Sequence, residues 1–86
     1  MAKRFNGRRA KEYRAFLEAH GFSLVNYNGD DDIYERPGYG YAVKIPHRDS
    51  EEVPIGTALQ IVRCVEKCGI GRKKILLWWH ENGYGE

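Results

Sequence analysis

Apolar side chains recur at helical spacing near the start of the chain. Tyr13, Phe16, Leu17 and His20 fall at i, i+3, i+4 and i+7, with Lys11, Glu12, Arg14 and Glu18 at the remaining positions. This period predicts a helix over residues 9–20, ended by Gly21, which supplies left-handed backbone. The period then drops to two. Residues 22–27 predict a strand with Phe22 and Leu24 on one face and Ser23, Val25 and Tyr27 on the other. Asn28-Gly29 predicts a tight hairpin, because both residues tolerate positive φ. A second strand follows over residues 31–36, and Pro37-Gly38 suits the centre of a type II turn. The third strand covers residues 39–45, where Tyr41, Val43 and Ile45 alternate with Ala42 and Lys44, and Pro46 closes it. Tyr41 is expected in the core.

Thr57 and Gln60 have the spacing of a capping box and predict the start of a second helix. Its apolar side is Ala58, Leu59, Val62, Val65 and Cys68, and Gly69-Ile70 reads as a stop whose apolar residue folds back on the last turn. A third helix is predicted from Arg72 to about Glu81, ended by Asn82-Gly83. Its run Ile75-Leu76-Leu77-Trp78-Trp79 leaves no clean polar face, so it is buried on several sides or shared with a partner. Trp78 and Trp79 are adjacent and cannot both face one core. One of them is therefore expected at the surface as a partner-binding anchor. The order α-β-β-β-α with an added helix predicts an α+β domain, a three-stranded antiparallel sheet with helices on one face. The double-stranded-RNA-binding fold has that order.

A length of 86 residues and 10.0 kDa makes residues 1–86 a single domain. With 42% apolar and 30% charged residues, the disordered class is excluded. The longest apolar run is five residues, too short to span a bilayer. Lys3 and Arg4 are followed by Gly7, Arg8 and Arg9 rather than an apolar stretch, so a secretory leader is not expected and a cytoplasmic location is. Cys64 and Cys68 sit four apart with no second pair, which reads as two reduced helix residues rather than a zinc site. No metal or other cofactor is expected. The net charge of +2 hides a segregation: residues 1–14 carry six basic side chains against Glu12 alone, and residues 30–35 carry four acids and no base. Such segregation permits polyanion binding.

The ordered set Gly21-Phe22, Asn28-Gly29 before a strand, Val43-Lys44-Ile45-Pro46-His47 and Val53-Pro54-Ile55-Gly56-Thr57 resembles the HicA toxin family of bacterial toxin–antitoxin systems. The resemblance covers residues 9–70 and leaves 71–86 as a C-terminal helical extension. It implies a double-stranded-RNA-binding-like fold, metal-independent endoribonucleolytic cleavage of messenger RNA (an mRNA interferase), and neutralisation by a HicB-like antitoxin. The family carries a glycine, one or two small polar residues and then a histidine at the start of the second strand. That histidine is the expected proton acceptor from the ribose 2′-hydroxyl. Here the run is Gly29-Asp30-Asp31-Asp32-Ile33-Tyr34, and Asp31 or Asp32, depending on register, stands in the histidine position.

This departure sets the chemical question. Imidazole is matched to base catalysis near neutrality, whereas an aspartate near 3.9 needs burial or acidic neighbours to become an effective base. The acidic run has three readings: a solvated turn, a replacement carboxylate base, or a site for a divalent cation. Candidate RNA contacts are Arg8, Arg9 and Lys11 of the basic start, Lys44 on the third strand, and His47 and Arg48 in the following loop, each phosphate contact adding to salt dependence. The missing histidine equally admits a catalytically inactive module that binds RNA or protein. The expected partners are RNA, a HicB-like antitoxin, and a second copy meeting through the C-terminal helix. Arg72-Lys73-Lys74 opens a helix where cations are disfavoured, so an acidic group or a phosphate is expected beside it.

Overall fold

A computed structural model describes residues 4–84. The elements are α1 (Ala10–Ala19), β1 (Ser23–Asn28), β2 (Asp31–Glu35), β3 (Ala42–Pro46), α2 (Ile55–Lys67) and α3 (Arg72–Glu81). The strands form one antiparallel sheet in the order β1-β2-β3, so the α+β expectation holds. Tyr34 pairs with Val43 and Asp32 with Ile45. All four are buried, and by the two-residue period they share the face that the helices cover. The alternate residues Asp31, Ile33 and Glu35 of β2, with Ala42 and Lys44 of β3, turn to the opposite face. β1 lies beyond the helices, and its six residues are all exposed.

The bounds differ from the sequence expectation where a residue's neighbours override its local signal. β1 carries a register shift between Leu24 and Asn26, with Val25 as the extra residue. Leu24 and Tyr27 therefore face the same side, opposite Tyr34 and Asp32, instead of opposite sides. β3 begins at Ala42, not residue 39, because Gly38 and Gly40 hold the preceding turn at positive φ. Tyr41 is consequently exposed, its ring beneath the Lys67 ammonium at 5.4 Å, and is not a core residue. α2 starts at Ile55 behind Pro54, and Thr57 lies inside the helix rather than capping it. Gly69 stops α2 with φ 87° while the Ile70 amide donates to the Val65 carbonyl and its side chain is buried.

Trp79 unites the core. It is fully buried, its indole N–H donates to the Glu12 carbonyl at 2.9 Å, and Phe5 and Tyr13 meet it edge-on at 6.1 and 5.0 Å. α3 is thus packed against α1 as part of the same core. Tyr13 donates to the Phe5 carbonyl at 2.6 Å, and burial pushes its phenol far above the usual range. Arg72 forms a two-pronged ion pair with Glu66 of α2 at 3.0 Å, which supplies the acidic neighbour that the start of α3 required. Cys64 and Cys68 are free thiols, and burial together with Cys64 pushes the Cys68 thiol up. Among the described residues, no helix is long and apolar enough to cross a membrane.

Candidate active site

The start of α1 has amide groups that no earlier turn can satisfy. The loop after β3 satisfies them. The Ala10 amide donates to the Glu51 carbonyl at 2.8 Å and the Lys11 amide to the Asp49 carbonyl at 3.1 Å. Arg9 Nη1 reaches the Ser50 carbonyl at 2.5 Å, and the Val53 amide donates to the Arg8 carbonyl at 2.9 Å. At the other end of the loop, the His47 amide donates to the Asp30 carbonyl at 2.8 Å and so extends the β2–β3 ladder. His47 is thereby anchored through its amide next to the hairpin that carries the aspartates.

Arg14 of α1 crosses beneath this loop. Its Nη2 donates to the Asp32 carboxylate at 3.1 Å and to the Pro46 carbonyl at 2.9 Å, while Nη1 pairs with Asp49. Asp32 is only 5% exposed. Its second oxygen accepts from His47 Nδ1 at 2.9 Å. A carboxylate only accepts, so this contact fixes the Nδ1–H tautomer and leaves the lone pair of a neutral ring on Nε2. The His47 side chain is 66% exposed. Tyr27, 64% exposed, stands edge-on to that ring at 6.4 Å because the bulge in β1 aims it there. A small pocket beside His47 is bounded by Gly29, Asp30, Arg48 and Glu51.

The arrangement joins an open imidazole, a carboxylate that orients it and an arginine that holds the carboxylate. It can take a proton from a hydroxyl presented at Nε2. Asp32 itself is enclosed between Arg14 and His47 and has no open face for a substrate hydroxyl. Asp31 points to the opposite side of the sheet, so the two aspartates do not share a site. Among the described residues, no group of three or more His, Cys, Asp or Glu side chains is placed to hold a metal ion.

The other residues anticipated as contacts divide clearly. Arg9, Lys11 and Arg48 are exposed around the loop that carries His47, and Lys44 is exposed on the far face of the sheet. Arg8 is 2% exposed: its guanidinium lies 4.1 Å over Trp79 and donates to Glu12 at 3.0 Å, to the Arg4 carbonyl at 2.7 Å and to the Tyr84 carbonyl. It is a core residue and presents no donor to a phosphate. Trp79 is wholly buried, and Trp78 is packed among Phe16, His20 and Tyr84. The large apolar side chain that α3 exposes is Leu77 instead. Tyr27 and Asp49 were not anticipated; the bulge and the loop contact that place them leave no local sequence signal. Compared with known proteins, the sequence matches no family model and no curated protein.

Proposed function

We propose that this protein is a HicA-like endoribonuclease that cleaves RNA without a metal, with His47 as the general base and Asp32 as the residue that positions it. The 2′-hydroxyl of a bound nucleotide gives its proton to His47 Nε2 as its oxygen attacks the adjacent phosphorus. The P–O5′ bond breaks, the leaving oxygen takes a proton from water, and a 2′,3′-cyclic phosphate remains. Arg48, with Arg9 and Lys11 along the same loop, supplies the cations for the backbone. Tyr27 offers a flat face to a base beside the reacting ribose. The observation that carries this reading is the 2.9 Å contact between buried Asp32 and the Nδ1 atom of the exposed His47 ring. It gives the chain an imidazole at a position other than the one at which the HicA resemblance places it. A HicB-like antitoxin and bacterial toxicity belong to the same reading.

The rim favours a second reading. Asp30 and Glu51 border the pocket beside His47, where they oppose a phosphate; a binding module without catalysis accommodates them more easily. One experiment separates the two. The purified protein is incubated with end-labelled RNA in the presence of a chelator, alongside His47→Ala. Cleavage with cyclic-phosphate ends, lost in the variant by about 10²-fold or more, supports the nuclease. Equal cleavage by both proteins removes His47 from the chemistry, and RNA binding without cleavage supports the module.

A further inference from the structure

The sheet has a second feature, on the edge away from β1. The amide of His47 bonds to Asp30 in the β2–β3 ladder, and in an antiparallel pair the bonded residues alternate. Val43 and Ile45 therefore turn their backbone groups toward β2, while Ala42 and Lys44 turn theirs outward from the free edge of β3. Alongside that edge runs one face of α2: Thr57, Gln60, Ile61, Cys64 and Lys67, spaced as a helical stripe. Edge and helix enclose a groove of about 550 Å³. The ten residue steps from Thr57 to Lys67 rise about 15 Å, and the strand from Ala42 to Pro46 extends about 13 Å. The wall and the edge match the length of one five-residue strand.

We infer that this groove binds an acidic, extended peptide segment of another protein, which adds as a fourth strand to β3. The free Ala42 and Lys44 groups supply the main-chain pairing, and Val43, Ile61 and Pro54 supply apolar floor for alternate side chains. The charge selects the occupant. Lys44 stands at the middle of the edge, and Arg63 and Lys67 line the wall toward its Ala42 end. The acids Asp31 and Glu51 lie toward the Pro46 end. The carboxylates of the peptide thus belong near Ala42 and Lys67. A second copy of this chain is disfavoured, because antiparallel pairing of two β3 edges brings the Lys44 side chains of both into one short ladder. The inference does not depend on the nuclease reading, since the groove meets the pocket of His47 only at Glu51.

The test is selection of a random dodecapeptide library, displayed on phage, against the immobilised full-length protein, followed by amide hydrogen exchange with the selected peptides. The expected result is a consensus with Asp or Glu at alternate positions, slowed exchange at the Ala42 and Lys44 amides, and at least about tenfold weaker binding to Arg63→Glu/Lys67→Glu. Both substituted residues are exposed, so the fold is retained and a melting curve checks it. Failure to select any peptide, peptides without acidic residues, or exchange unchanged at Ala42 and Lys44 overturns the inference. So does protection of those two amides by oligouridylate in place of peptide, which assigns the groove to RNA. Chelator-resistant cleavage by Arg63→Glu/Lys67→Glu at the unsubstituted rate keeps this outcome distinct from the fate of the nuclease reading.

Discussion

Two arginines six residues apart each find a carboxylate, and they end in opposite situations. Arg8 donates to Glu12 while its flat guanidinium covers Trp79, and carbonyls of Arg4 and Tyr84 take further N–H groups. In that cluster both the guanidinium and the carboxylate are buried. Arg14 also donates to a buried carboxylate, but Asp32 gives its second oxygen to His47, and the chain of contacts runs out to solvent at an exposed ring. Charge and spacing in sequence do not separate the two arginines. What separates them is whether the last member of the network can still exchange a proton with something outside the protein.

The sharpest way to break the comparison is to cross its two ends. Arg8→Ala leaves Glu12 buried without its partner and opens the surface over Trp79, so a loss of about 3–5 kcal/mol in unfolding free energy is expected by urea titration. His47→Ala should leave the urea midpoint unchanged while cleavage falls about 10²–10⁴-fold. If Arg8→Ala unfolds at the unsubstituted midpoint and loses cleavage instead, the buried cluster is the functional one and the assignment reverses.

Asp32→Asn comes next. The amide keeps the shape but loses the charge opposite Arg14, and its NH2 group is a donor that faces either a donor on Arg14 or a His47 Nδ1 that can accept only in the other tautomer. A stability loss of about 1–3 kcal/mol follows for the buried mismatch. Cleavage should fall by about tenfold or more, about 1.4 kcal/mol in the barrier, because the tautomer is no longer held. Stability lost with cleavage intact would make Asp32 a structural partner of Arg14 alone.

Smaller again is the effect at Tyr27, where the ring is free of core packing. Tyr27→Ala should weaken RNA binding by about 1–3 kcal/mol per stacked base, measured by fluorescence anisotropy, with Tyr27→Phe retaining most of it. Equal loss in both variants would assign the effect to the hydroxyl rather than to stacking.

Much of the architecture was legible because its signals are local. Tyr13, Phe16 and Leu17 share one helix face and are buried, and Gly69-Ile70 stops α2 with Ile70 folded into the core. The hairpin forms one residue later than Asn28-Gly29 predicts: Asn28 pairs with Asp31 at the end of β1, Gly29-Asp30 make the turn, and Gly29 alone of the two expected residues has positive φ. The site was legible in part. The aspartate run and His47 stood out as residues, but their relation did not, because fifteen residues and a change of strand separate Asp32 from His47. The bulge at Val25 has no composition signal and depends on how β1 meets β2, so the face of Tyr27 could not be read from strict alternation. Arg8 misled for a related reason. An arginine in a basic cluster reads as surface charge, and only the arrival of Trp79 and Tyr84 from the far end of the chain buries it.

The smallest expected effect carries a distinct lesson. Asp31 and Asp32 are equivalent in sequence as replacements for a catalytic histidine, yet the two-residue period of β2 sends them to opposite faces. Asp31 pairs across the ladder with Pro46 and borders the groove beside β3, away from His47. Asp31→Ala should therefore change neither the urea midpoint nor the rate of RNA cleavage beyond about 0.5 kcal/mol. The same substitution removes an acid from the Pro46 end of the groove and should tighten an acidic peptide there slightly. A rate loss in Asp31→Ala comparable to that in Asp32→Asn would mean that both carboxylates serve one centre. The alternation of β2 forbids that, so such a result would require a different register for the hairpin.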